Sequence, residues 1–146
     1  MNRISSLLLA LALLLACPTL GHAGATVLEY GHLDARFTLE IPDNWPASPI
    51  PDGAIVTAPS TQTHVTIISA TVAAVTPEQF VTEAAALAGL EPLVEYQPGL
   101  WTGSGKIDDV PVSCAVGNDG TRLVTIVVRG YLFPEIRSLI ASLTLR

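Results

Sequence analysis

Leu123-Val124-Thr125-Ile126-Val127-Val128 is nearly continuously apolar and reads as a strand. Successive side chains of a strand point to opposite faces, so a half-buried strand alternates, whereas this run leaves no face for water. It predicts a sheet with a further layer on each side. Just before it, Asn118-Asp119-Gly120 reads as a tight turn, and so does Asp108-Asp109. Strand-like sequence at 93–97, 100–107, 110–116 and 122–129 makes the second half of the chain a run of hairpins. A short helix over 134–142 follows, with Ile136, Leu139, Ile140 and Leu143 at helical spacing.

The first half supplies the other elements. Arg36 to Ile41 alternates strictly, with Phe37, Leu39 and Ile41 on one face, and Pro42 ends that strand. The proline-rich stretch 42–53 reads as a loop, and 54–58 and 64–75 as two strands joined by the turn at Pro59-Ser60-Thr61-Gln62. Val75-Thr76-Pro77-Glu78-Gln79-Phe80 is the clearest helix start. Thr76 can cap, Pro77 fits the first helical position, Gln79 can close a capping box, and Val75 with Phe80 can form a hydrophobic staple. Phe80, Ala84, Leu87 and Ala88 form the apolar stripe, and Gly89 stops the helix, which is expected over 77–88. The fold class is α+β: an antiparallel sheet of about seven strands flanked by helices.

The first strand and its exit, Phe37-Thr38-Leu39-Glu40-Ile41-Pro42-Asp43-Asn44-Trp45, resemble the opening Phe-x-apolar-x-Ile-Pro-x-x-Trp of the PsbP-like superfamily. That group takes in PsbP, Mog and exported proteins of the DcrB type. The order of elements is similar over most of residues 27–146. The resemblance implies an α/β/α sandwich and an accessory or partner-binding role. It implies no activity, and no functional residue of the group matches a position here.

The N-terminus reads as an export signal over residues 1–25 ahead of a single domain over 26–146. Arg3 supplies the positive charge, and the apolar run Leu7–Ala16 is too short to span a bilayer, which takes about 20 residues. Small residues offer general cleavage after Ala23 or Ala25. The rival is Leu14-Leu15-Ala16-Cys17, where processing before Cys17 and lipidation of that cysteine would give a membrane anchor. The protein is therefore expected to be periplasmic or secreted, or tethered as a lipoprotein. Past residue 25 six basic residues face thirteen acidic ones, a net charge of −7. No basic cluster exists to displace phosphate counterions, which argues against nucleic acid as a partner. It also argues against a membrane surface, except through a lipid anchor at Cys17.

Residues that could carry chemistry are few. Trp101-Thr102-Gly103-Ser104-Gly105-Lys106 ends in Gly-Lys, but Leu100 stands where a phosphate loop needs glycine, and Ile107 where it needs Ser or Thr. A glycine-rich strand with a bulge is the expected reading. Cys114, between Val112 and Val116 on one strand face, is expected to be buried and inert. His32 and His64 have no ligand-type residues at metal-site spacing. Asp108, Asp109 and Asp119 read as solvated hairpin turns, since no calcium-loop pattern surrounds them. No nucleophile elbow is present. Trp45 is expected to cap the core. Tyr96 and Trp101 flank the turn Gln97-Pro98-Gly99-Leu100, where exposed they would form a partner-binding patch.

The sequence therefore points to a non-catalytic exported accessory domain that uses no cofactor and no metal and binds an envelope protein through a sheet edge or its loops. Two other classes compete. One is a small carrier holding an apolar ligand between sheet and helix, which needs a cavity of at least about 300 Å³. The other is an enzyme with a scattered site, which needs polar groups converging in a cleft, for example around His64.

Overall fold

The computed structural model describes residues 24–146. The signal residues up to Ala23, with Cys17, lie outside the described residues. The main sheet has seven antiparallel strands: β3 (Ala47–Ile50), β4 (Gly53–Ala58), β5 (Thr63–Thr71), β6 (Val94–Gln97), β7 (Leu100–Ile107), β8 (Val110–Asn118) and β9 (Arg122–Arg129). Their order across the sheet is β3-β4-β5-β9-β8-β7-β6. The hairpin run of the second half is therefore present, and β9 closes it against β5. A second sheet, β1-β2-β10, is formed by β1 (Ala25–His32), β2 (Ala35–Pro42) and β10 (Thr144–Leu145). Two helices complete the fold: α1 (Pro77–Ala88) and α2 (Pro134–Ala141). The α+β class holds.

The central position of β9 accounts for its composition. Leu123 to Val128 are six consecutive buried residues. Val124, Ile126 and Val128 point into a core shared with β2, β4, β5, β10 and α2. Leu123 and Val127 point the other way, into a core shared with α1 and β8. One face of the sheet is thus covered by a helix, and the other by the small sheet together with α2. Phe37, Leu39 and Ile41 of β2 are buried in that second layer, and Trp45 packs half-buried against it. Ser69, fully buried on β5, accepts a hydrogen bond from the His32 N–H at 2.9 Å and ties the two sheets together.

Several local expectations need correction. The proline loop contains β3, whose Pro49 lies opposite Ala54. Proline is tolerated there because β3 is an edge strand with one free side. The strand expected to run to Val75 ends at Thr71, because Ala74 and Val75 both donate to the Thr71 carbonyl and turn the chain. In α1, Thr76 Oγ1 accepts from the Gln79 N–H at 3.2 Å, but the Gln79 amide donates to Glu83 Oε1 at 2.9 Å, so the capping box stays open. Val75 and Phe80 share one core, as a staple requires. Ala85 takes the place of Leu87 in the buried stripe, and Leu87 is exposed. Gly89 ends the helix in the left-handed conformation. Among the described residues no helix is long and apolar enough to cross a membrane.

Candidate functional site

The titratable residues lie apart. The Cys114 thiol is buried on β8, with Sγ 3.9 Å from the Ala84 carbonyl oxygen. Burial pushes its pKa up to about 12, so it holds its proton and is a poor nucleophile. His64 is exposed on β5, with Nδ1 3.0 Å from Thr57 Oγ1 and Arg129 opposite it on β9. His32 Nδ1 accepts from the Asp34 N–H at 3.2 Å. Among the described residues no three His, Cys, Asp or Glu side chains come together as metal ligands would.

The turn acids divide. Asp108 and Asp109 both have positive φ and form the two-residue hairpin between β7 and β8. Asp119 is not solvated. Its side chain is 6% exposed and pairs with Arg122 Nη2 at 2.9 Å, while Oδ1 accepts from the backbone N–H groups of Thr121 and Arg122. Burial raises its pKa, but those hydrogen bonds and the guanidinium charge outweigh it, and the carboxyl titrates below its usual range.

The Gly-Lys stretch is a regular strand. β7 pairs with β8 without a break from Leu100 to Ile107, and the bulge lies instead between Glu95 and Gln97 on β6. The glycines allow a close approach: a Cβ on Gly103 would stand 2.6 Å from Leu93 Cδ2, and one on Gly105 would stand 3.0 Å from Leu90 Cδ2. The segment after α1 therefore packs directly on β7.

That packing places Trp101 half-buried between β7 and α1. It forms one wall of a groove of about 450 Å³, whose other walls include Val81, Ala85, Leu90 and Leu93. Beside it runs the short edge strand β6, with Val94 70% and Tyr96 56% exposed. Glu95 Oε1 accepts from the Gly99 N–H at 3.2 Å and fixes the turn into β7. Trp101 thus lines a groove, while Tyr96 lies on the adjoining edge.

A second groove, of about 320 Å³, lies on the opposite face and was not anticipated. Thr102 and Ser104 on β7 and Ser113 on β8 form its hydroxyl-bearing side. Ile126 and Val128 of β9, Leu132 and Ile140 form its apolar side, and Arg137 of α2 is its charged lining residue. Part of this pattern is present in the sequence. Thr102 and Ser104 are two apart and share a face, and the Asp108-Asp109 turn sets Ser104 opposite Ser113. Arg137 lies beside the apolar stripe of its helix, three residues before Ile140.

No family model matches the chain, and no curated protein does. Among solved structures, a protein of Bacteroides thetaiotaomicron VPI-5482 is similar at 11% identity with a TM-score of 0.44. The similarity covers 75% of this chain and 45% of that one, so the chain spans less than half the length of that protein.

Proposed function

We propose that this chain is an exported, non-catalytic accessory domain that binds an envelope protein through the α1–β7 groove and the β6 edge. The carrying observation is the half-buried Trp101 in a groove of about 450 Å³ beside an exposed apolar edge strand. Edge strands and exposed apolar side chains are what a partner covers, and aromatics set in grooves serve as anchors. The high Cys114 pKa and the separation of His32 from His64 support a role without catalysis. The PsbP-like order of elements is part of the same reading. So is a periplasmic or secreted location. Of the two general cleavage positions, the one after Ala23 keeps β1 whole, because Ala25 pairs with Pro42 and the Gly24 carbonyl accepts from the Asp43 N–H.

A photocrosslinking amino acid at Tyr96, in the native host, tests this. A crosslinked envelope protein at position 96, and none from the same probe at exposed Leu33 on the β1–β2 turn, is the expected result. Equal yields at both positions, or none at either, would overturn the proposal. The carrier reading also has a specific observation behind it, because both grooves exceed the lower bound of about 300 Å³ for ligand sites.

A further inference from the structure

We infer that the groove under α2 binds a single-chain carboxylate, with its anionic head at Arg137 and the hydroxyls and its tail on Ile126, Val128, Leu132 and Ile140. The inference does not rest on the partner reading, because the two grooves lie on opposite faces of the sheet. Trp101 and Thr102 are adjacent on β7 and point opposite ways. Trp101 pairs across to Val116, in the α1 core, and Thr102 to Ala115 and through it to Ile126.

Three features select the ligand. The first is sign. Arg137 is the charged residue lining the groove, in a chain that is otherwise strongly acidic. A guanidinium in a partly apolar site favours a carboxylate, to which it donates charge-assisted hydrogen bonds. The second is the division of the walls. Ser104 and Ser113 face each other across β7 and β8, and Thr102 lies one pleat along, so hydroxyl donors line one side. The other side is aliphatic. A ligand matching both has a polar head and an apolar body. The third is size. A volume of about 320 Å³ holds roughly ten non-hydrogen atoms at about 30 Å³ each. That admits an eight-carbon acid and excludes a two-chain lipid.

Titration of the protein with octanoate and with octanol, followed by backbone amide NMR, tests the inference. Octanoate should saturate shifts at Thr102, Ser104 and Ser113, and octanol should bind at least about ten-fold more weakly, because it lacks the charge that Arg137 recognises. Arg137→Gln should bring the two ligands to equal affinity. Ser104→Val, at an exposed position, should weaken octanoate a few-fold and leave octanol unchanged. The comparison of the two ligands on the unaltered protein decides the matter even where Arg137→Gln does not fold. Equal affinities there would overturn the inference. So would shifts confined to α1 and Trp101, the absence of saturation at the solubility limit, or capture of a peptide C-terminal carboxylate in place of octanoate.

Discussion

Asp119→Ala is expected to cost about 2–4 kcal/mol of stability. Asp119 is 6% exposed and Arg122 14%, and the carboxylate accepts four hydrogen bonds. Oδ1 takes the N–H groups of Thr121 and Arg122, and Oδ2 takes Arg122 Nε at 3.0 Å and Nη2 at 2.9 Å. Removal leaves two turn donors without their acceptor and a largely buried guanidinium without its counter-charge. Each charge-assisted bond contributes about 1.5–3 kcal/mol, but bonds to one carboxylate do not add. Arg122 also keeps a hydrogen bond to the Arg146 carbonyl, which limits the loss. Urea denaturation at pH 7 measures the cost, and Asp119→Asn should cost less because its side-chain oxygen can still accept from the turn. The same carboxyl carries a pH dependence. Its folded pKa lies below the unfolded value of about 3.9, so its contribution is complete above that value and is lost as pH falls through the folded pKa. The gap between wild type and Asp119→Ala should therefore narrow below about pH 4. A cost under about 1 kcal/mol, or a gap equal at pH 7 and pH 2, would refute the reasoning.

Thr76→Ala should lose about 1 kcal/mol by the same denaturation assay, whereas Gln79→Ala should stay within about 0.5 kcal/mol, because its amide bonds Glu83 and not the helix end. Gly103→Ala should lose about 1–3 kcal/mol by overpacking against Leu93, and shortening Leu93 in the same chain should recover part of that loss, which a double-mutant cycle measures. Cys114 should resist alkylation by iodoacetamide at pH 8 in the folded protein and react fully in urea; rapid labelling of folded protein would contradict its burial and its pKa of about 12.

The elements legible in the sequence are those whose stability is local or whose burial is extreme. The bounds of α1 follow from Thr76, Pro77 and Gly89, each of which acts on the backbone beside it. The position of β9 follows from six residues with no polar face. The strands that escaped notice are stabilised by partners far away in sequence. β10 is two residues paired to β2, and β3 is a proline-bearing edge. β1 carries a glutamate, a glycine and exposed positions throughout its length, and is a strand because β2 lies beside it. Asp119 was misjudged for a related reason. The type of turn is visible in Asn-Asp-Gly, but the burial of one of its side chains under Arg122 is not.

The second groove has a similar origin, in a mismatch of widths. Strands lie about 4.8 Å apart, so a three-stranded sheet covers roughly 14 Å of a seven-stranded one roughly 34 Å wide. The small sheet and α2 pack on β4, β5 and β9, and no residue of β6, β7 or β8 joins that core. The remaining strip must be wettable, and on β7 the side chains of that face are Thr102, Ser104 and Lys106, while the opposite face carries Trp101, Gly103, Gly105 and Ile107. Where the covering layer stops, the aliphatic residues of β9 meet the hydroxyls of β7 and β8, with Arg137 on the overhanging helix. A step of this kind produces an amphipathic groove from packing alone. Sequence shows the alternation on β7 but not where the second layer ends, and the place where it ends determines that Thr102 and Ser104 line a groove and not a flat solvated surface.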